Sequence, residues 1–287
     1  MYVISGANGR VGAAVAEQLL RNGAPVRVVV RREEVARAWC ERGAQAAIAD
    51  LRDEACLTAA LDGAQGFFTL MPFDLTAPDL DAYARDVSES VAGAVSAARV
   101  QHTVMLSSGG ADLPEGTGPI RGLHVMEQAL RGTNTTLTAL RSGHFQEKFT
   151  DVLEPARQEG IFPVFADSAD VALPMVATGD IAKVAAEELL AGPRSSEAVD
   201  LVGPSYTERQ VANLLGERLG RELHVVTVPE AGWPGALADA GFAPHIAESI
   251  AELYAADQAG RLGPRGDRAV HVHTPIDETV DKVLSSV

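Results

Sequence analysis

Short apolar runs alternate with amphipathic stretches along roughly the first 140 residues of the chain. The apolar runs predict buried strands at Tyr2–Ser5, Val26–Val30, Ala46–Ala49, Gly66–Met71, Thr103–Leu106 and Thr136–Leu140. The stretches between them have helical periodicity at about 10–22, 33–42, 53–62, 79–99 and 121–131. Strands that alternate with helices predict an α/β fold, a doubly wound parallel sheet of the Rossmann type.

The regular alternation ends after Phe145. Helical patterns near 146–159, 180–190, 207–219, 234–240 and 245–259 are interrupted by strand-like runs at 199–202 and 223–228. We therefore divide the chain into a nucleotide-binding domain, residues 1–145, and a smaller α/β substrate domain, residues 146–287, with room for segments that return to the first. The cleft between the two is the expected substrate site.

The charge of the chain narrows the range of partners. The formal net charge of −15 is distributed as −3 over residues 1–145 and −12 over residues 146–287, which disfavours nucleic acid and anionic membranes. No signal peptide and no apolar run long enough to span a bilayer is found, so we expect a cytoplasmic protein. Cys40 and Cys56 are expected to be free thiols. The sequence leaves a homodimer open.

The chain begins with a strand that leads into a glycine-spaced turn. The segment reads Gly6-Ala7-Asn8-Gly9-Arg10-Val11-Gly12 and directly precedes the first helical stretch. Glycines at this turn allow a pyrophosphate to approach the backbone N–H groups at the helix N-terminus. Because the motif follows a strand and opens a helix, it predicts a dinucleotide site.

The residue after the second strand indicates which dinucleotide binds. An acidic residue there would accept a hydrogen bond from the ribose 2′-hydroxyl, but this chain has Arg31. A guanidinium suits a 2′-phosphate, so we expect NADP, with Arg31 as the main contact and Arg32 or Arg10 as auxiliaries. The alternative is a solvated arginine without a ligand.

Further cofactor contacts are expected where the other strands end. Asp50 is placed to accept the adenine amino group, and Leu51 to cover one face of the adenine ring. The alternative for Asp50 is a cap of the following helix, and the two roles are compatible. Strand ends at the carboxyl edge of the sheet line the cofactor groove in this fold. The additional candidates there are Leu70, Met71, Pro72, Ser107 and Ser108.

Several segments together resemble a known family. They are the glycine turn, Val30-Arg31, Ala49-Asp50-Leu51-Arg52-Asp53-Glu54, Glu127-x-x-Leu130, Thr138-Ala139-Leu140-Arg141-Ser142-Gly143-His144-Phe145 and Gly179-Asp180-Ile181-Ala182. In order and spacing they resemble the NmrA-like branch of the atypical short-chain dehydrogenase/reductases, in particular its NAD(P)H:quinone oxidoreductase type. The resemblance implies an NADP-binding domain followed by a small substrate domain. The family includes quinone and azo reductases, reductases of phenolic natural products, and NADP sensors without activity.

The usual proton donors are missing from the sequence. None of the four tyrosines has a lysine four residues later, and the lysine that some NmrA-like reductases place ahead of the Glu-x-x-Leu helix is absent. His124 lies close to that position and is the candidate catalytic residue; the alternative is a polar helix residue without a role. Phe73, Gly109, His144 and Phe145 are the candidate substrate contacts, and core packing is the alternative for Phe145.

These observations predict an NADPH-dependent oxidoreductase that transfers hydride to a small planar carbonyl, quinone or conjugated acceptor. A strongly electrophilic acceptor needs little acid catalysis, so the missing pair is compatible with quinone reduction. A non-catalytic NADP(H) sensor that acts through a protein partner and a tailoring enzyme of secondary metabolism are the alternatives. No metal is expected, since the His271-x-His273 pair has no evident third ligand.

Overall fold

The computed structural model describes residues 1–285 of the 287-residue chain. Its strands are β1 (Tyr2–Ser5), β2 (Val26–Val30), β3 (Gln45–Ile48), β4 (Gly66–Leu70), β5 (His102–Ser108), β6 (Thr136–Ser142), β7 (His144–Phe145), β8 (Ile161–Val164), β9 (Leu173–Val176), β10 (Glu197–Val202), β11 (Ser205–Tyr206), β12 (His224–Thr227) and β13 (Arg268–His271). Its α-helices are α1 (Arg10–Arg21), α2 (Glu33–Glu41), α3 (Glu54–Ala60), α4 (Leu80–Ala97), α5 (Ile120–Arg131), α6 (Leu153–Gln158), α7 (Thr178–Ala191), α8 (Glu208–Leu219), α9 (Trp233–Asp239), α10 (Pro244–Gln258) and α11 (Ile276–Leu284). Two 3₁₀ helices span Gln146–Val152 and Glu230–Gly232.

One large sheet organises the fold. It has eight strands in the order β13-β10-β6-β5-β4-β1-β2-β3, and every neighbouring pair is parallel. Parallel strands must be covered on both faces, which explains their nearly continuous apolar sequences. Helix α1 packs beside α7 on one face, and α4 packs beside α5 on the other. The Rossmann-type doubly wound sheet is therefore confirmed.

All six strands predicted in the first 145 residues are present, with differences at their ends. Strands β5 and β6 each continue two residues beyond the predicted end, to Ser108 and Ser142, because the two stay paired to that point. The extra residues carry polar side chains, which the apolar pattern does not mark as strand. These longer strands form the edge on which the candidate site is built.

The chain after Phe145 contributes to the large sheet as well. Strand β10 pairs with β6, and β13 pairs with β10, so both extend the sheet beyond the nucleotide-binding half. A separate apolar core gathers around Phe149, Phe162 and Leu215. The division at residue 145 stays a prediction. Helix α11 has no counterpart among the helices that the sequence pattern predicts.

The exposed features of the chain are ordinary. Cys40 and Cys56 are exposed free thiols, as predicted. Within residues 1–285, no helix has the length and apolar character needed to cross a bilayer. Over the same residues, His, Cys, Asp and Glu side chains form no cluster of three or more that could hold a metal.

Candidate dinucleotide and substrate site

The glycine turn is built from close backbone contacts. Gly6 has a left-handed φ of +67°, and its carbonyl accepts a hydrogen bond from the Gly9 N–H at 2.9 Å. A Cβ on Gly12 would lie 2.4 Å from the Gly6 oxygen, so only glycine fits there. Gly9 is the N-cap of α1, and no side chain caps the helix. The first N–H groups of α1 are thus left without a side-chain acceptor, as an anion site on a helix N-terminus requires.

Trp39, which was not among the residues predicted for the site, donates a hydrogen bond to the glycine turn. The indole Nε1–H of Trp39, on α2, donates to the carbonyl of Ala7 at 3.1 Å. Trp39 is buried, and the Arg42 guanidinium lies 4.1 Å from its ring centroid. Its place on the buried face of α2, three residues after Ala36, was the available sequence signal.

The three candidate arginines differ in their partners. Arg31 is exposed and takes part in no ion pair among the described residues. Arg32 pairs with Glu34 at 3.3 Å. The Arg10 guanidinium donates to the Thr150 hydroxyl at 3.0 Å, which ties the start of α1 to the second half of the chain. Of the three, only Arg31 has neither an ion pair nor a side-chain hydrogen bond among the described residues.

Asp50 lies beside Arg31 at the end of β3. Its Oδ1 accepts hydrogen bonds from the backbone N–H of Arg52 at 2.9 Å and from the Arg52 Nε at 3.3 Å. Burial alone would raise the pKa of Asp50, but these bonds and the charges of Arg52 and Arg31 outweigh it and lower the pKa. The alternative that Asp50 caps α3 is wrong, because Asp53 accepts from the Cys56 N–H and caps that helix. Leu51 packs against the core below.

The remaining groove candidates are unequally accessible. Leu70 packs against Gly6, where a Cβ would approach its side chain to 2.9 Å. Met71 is buried, while Pro72 and Ser108 are half-buried. Ser107 is buried, and its hydroxyl donates to Glu127 Oε1 at 2.6 Å. The Ser107 side chain therefore has a protein partner inside the fold.

Glu127, on α5, accepts hydrogen bonds from residues at the ends of β5 and β6. It is fully buried and receives two hydrogen bonds from Arg141, at 3.0 and 2.8 Å. Burial disfavours the Arg141 cation, but the Glu127 carboxylate outweighs this effect and raises the pKa of Arg141. A buried charge pair of this kind fixes α5 against β6, since separating it would leave a charge without a partner.

The structure places His124 beside the Ala111 carbonyl and Gly109 beneath Leu262. A ring nitrogen of His124, Nδ1, lies 2.9 Å from the Ala111 carbonyl, which can only accept, so Nδ1 carries the proton and Nε2 is left free. His124 is half-buried and lines neither of the two cavities described below. Gly109 is buried beneath Leu262, whose carbonyl oxygen would lie 2.1 Å from a Cβ on Gly109.

Two cavities open at the carboxyl edge of the sheet. The first, about 360 Å³ and partly open to solvent, lies between the end of β4 and the starts of α4 and α5 and includes Phe73 and Tyr83. The second, about 220 Å³ and likewise partly open to solvent, follows β6 and is lined by His144, Phe145, Gln146, Lys148, Phe149, Met175, Glu208 and Val211. His144 Nε2 contacts the Asp257 carboxylate at 3.1 Å. Three of the four predicted substrate contacts, Phe73, His144 and Phe145, thus line a cavity.

A parallel doubly wound sheet with an uncapped glycine turn defines the class of Rossmann-type dinucleotide-binding proteins. The model of the NmrA-like family matches residues 2–285, and the chain belongs to that family. The family resemblance drawn from the sequence is thereby confirmed.

Three relatives illustrate what the chain is similar to. It is 27% identical over 258 residues to the NAD(P)H azoreductase of Xenophilus azovorans, covering 89% of this chain and 86% of that protein. It is 27% identical over 261 residues to quinone oxidoreductase 2 of Escherichia coli (strain K12), covering 88% and 86%. The structure of the Citrobacter sp. triphenylmethane reductase complexed with NADP(H) matches with a TM-score of 0.82 at 23% identity, covering 98% of this chain and 99% of that one.

Proposed function

We propose that this protein is an NADPH-dependent oxidoreductase whose acceptor is a planar quinone, azo compound or related conjugated molecule. The observation that carries the proposal is the uncapped glycine turn at the start of α1, on the same sheet edge as two cavities with aromatic walls. Relatives named as NAD(P)H azoreductase and quinone oxidoreductase support the reaction class.

The residues at the glycine turn fit a dinucleotide. The helix N-terminus offers N–H donors to the pyrophosphate, and Gly9 leaves room for the approach. Arg31 is free to bind the 2′-phosphate, and Asp50, held ionised by Arg52, is placed to accept the adenine amino group. When bound, the reduced nicotinamide supplies the hydride.

Part of the wall of each cavity suits a flat conjugated acceptor. Phe145 lines the second cavity together with Phe149 and Met175, so one wall offers aromatic and thioether surface to a conjugated ring. Phe73 and Tyr83 do the same in the first cavity. Phe73 is 52% exposed, so its ring is available to an acceptor without unfolding anything.

A kinetic assay with a panel of acceptors tests the proposal. Purified protein is mixed with NADPH and, in turn, a benzoquinone, a naphthoquinone and an azo dye, and loss of the reduced nicotinamide absorbance is followed. We expect acceptor-dependent oxidation of NADPH and a slower reaction with NADH. Tight NADPH binding without turnover on any acceptor would contradict the proposal and favour a redox sensor. Turnover of a His124→Ala variant tests the catalytic role predicted for that residue.

The proposal also concerns partners and location. The net charge of −15 opposes nucleic acid, so we propose a small molecule as the ligand of the cleft. Two exposed free thiols and the use of NADPH support a cytoplasmic location, which cell fractionation tests. Sedimentation analysis of the purified protein decides between a monomer and a homodimer.

A further inference from the structure

Lys148 is an unpaired cation at the mouth of the second cavity. It is one of only three lysines in the chain, it is exposed, and it lines the cavity beside Phe145. None of the ion pairs found in residues 1–285 includes Lys148. An ammonium group without a counterion, on a residue that lines a cavity, is suited to an anionic ligand or to a negative charge that develops during a reaction.

An aromatic platform positions this ammonium group. The Nζ of Lys148 lies 5.3 Å from the ring centroid of Tyr254, on α10, within the range of a cation–π interaction. The Tyr254 ring is itself held by Phe165, with centroids 5.2 Å apart, and by Trp233, at 5.7 Å edge-on. Tyr254 is thus held by two aromatic neighbours while it contacts Lys148.

A second contact fixes α10 in the same orientation. Asp257 lies three residues after Tyr254 and therefore on the same face of the helix. Its carboxylate contacts His144, which precedes Lys148 by four residues and lines the same cavity. Two independent contacts therefore join α10 to the segment that carries Lys148.

The position of Lys148 in the sheet topology relates it to the hydride site. The segment that carries Lys148 follows β6, and the sheet order from the glycine turn is β1, β4, β5 and then β6. In this fold the nicotinamide half of a dinucleotide extends from β1 towards those strands. Lys148 lies on the 3₁₀ helix Gln146–Val152, which also carries Thr150. The Thr150 hydroxyl accepts a hydrogen bond from Arg10 on the first turn of α1. Lys148 therefore lies two residues before a residue that contacts the start of α1, where the glycine turn is.

We propose that Lys148 is the proton donor to the acceptor and that Tyr254 is the positioning residue that holds its ammonium group. This inference rests on the proposed function. The acceptor gains a hydride, that is two electrons and one proton, and becomes an anion at its oxygen or nitrogen. One N–H bond of the Lys148 ammonium breaks, the proton passes to that atom, and the lysine amine regains a proton from water. The products are the neutral reduced acceptor, a lysine that is protonated again, and hydroxide released to the solvent.

Two carboxylates act on the surroundings of Lys148. Glu208 lines the same cavity and repels an anion from its own side, and Asp151 lies near Tyr254. Burial, more than these carboxylates, raises the pKa of Tyr254, against the opposing effect of Lys148. The phenol therefore stays neutral at neutral pH and serves as an uncharged support.

A spectroscopic titration tests the anion site without turnover. Para-nitrophenol is titrated with acid and base in the presence of excess protein and oxidised NADP, and its phenolate absorbance is recorded. We expect the wild type to lower the apparent pKa of the bound dye by about one unit, a tenfold preference for the phenolate. Lys148→Met removes this shift, whereas Lys148→Arg keeps it. Lys183→Met, which removes an exposed lysine on α7, is the matched control and also keeps it.

Kinetics then separate charge from proton donation. Lys148→Met and Lys148→Arg both lower kcat with an azo dye by about 100-fold, because neither side chain donates a proton readily, while NADPH affinity stays unchanged. Tyr254→Phe keeps the platform and retains the rate, whereas Tyr254→Leu lowers it. Lys183→Met reacts as the wild type.

Four results overturn the inference or a part of it. If Lys148→Met leaves the shift in the apparent pKa of para-nitrophenol unchanged, Lys148 does not form an anion site. An NADPH affinity that falls with Lys148→Met makes Lys148 a phosphate contact instead. A loss of rate in His124→Ala but not in Lys148→Met assigns the proton transfer to His124. A wild type that shifts the dye but reduces no acceptor contradicts the proposed function and the proton transfer, and leaves the anion site standing.

Discussion

A Gly9→Ala variant separates folding from cofactor binding at the glycine turn. A Cβ on Gly9 would meet only the Gly6 oxygen, at 3.4 Å, which is an ordinary contact. The backbone of Gly9, with φ −102° and ψ 170°, is accessible to alanine. Alanine is a poorer N-cap than glycine, but it also reduces the freedom of the unfolded chain. We expect a change in stability within about 1 kcal/mol, or less than ~4 °C in Tm.

The same methyl group should weaken NADPH binding, because it projects where the pyrophosphate must approach the helix N-terminus. Loss of one hydrogen bond to a charged group costs about 1.5–3 kcal/mol, which corresponds to a roughly 10- to 150-fold increase in Kd. Thermal unfolding followed by fluorescence gives the Tm, and titration of the reduced nicotinamide fluorescence gives the Kd.

Two further glycines serve as matched controls. Gly12→Ala places a Cβ 2.4 Å from the Gly6 oxygen, so it should lower both stability, by about 1–3 kcal/mol, and NADPH affinity. Gly179→Ala, on α7, meets nothing within 4 Å, so it should leave NADPH affinity unchanged and raise stability by up to about 1 kcal/mol, because alanine is the better helix former. A Gly9→Ala protein that binds NADPH within twofold of the wild type would refute the placement of the pyrophosphate at this turn.

Three other predictions concern single side chains. Arg31→Ala should weaken NADPH binding about tenfold or more without changing NADH binding, and an unchanged ratio of the two Kd values would refute the 2′-phosphate contact. Trp39→Phe leaves the Ala7 carbonyl without its donor, so urea unfolding should show a loss of about 1–3 kcal/mol; an unchanged midpoint would count against that bond. Burial lowers the pKa of His102 below its ordinary 6.5, an effect opposed by Glu188, so the unfolded chain binds the proton first as pH falls. Stability is therefore full above about pH 6.5 and is lost below it, and the Tm of His102→Asn should depend less on pH between about 7 and 5.

Much of the cofactor half could be predicted from the sequence. The apolar runs of β1, β2 and β4 are buried on both faces, so each strand is marked by its own residues. The glycine turn is readable because its backbone geometry can be formed only by glycine at Gly6 and Gly12. The exposed position of Arg31 at the end of β2 follows from the same local pattern.

The contacts around the candidate acceptor site could not be predicted from local sequence patterns. Lys148 and Tyr254 are brought together by the docking of α10, and the sequence search for a tyrosine with a lysine four residues later could not find them. The partner of Ser107 is likewise a helix residue, Glu127, twenty positions further along the chain.

The sequence by itself determined the alternation of strands and helices, the glycine turn and the arginine that follows β2. Each of these depends on the periodicity or backbone freedom of a few consecutive residues. The tertiary structure decided the return of β10 and β13 to the large sheet, the contact of Trp39 with the turn, and the cation over Tyr254. These pairings join distant segments, and their geometry is set by how whole elements pack against one another rather than by any local pattern.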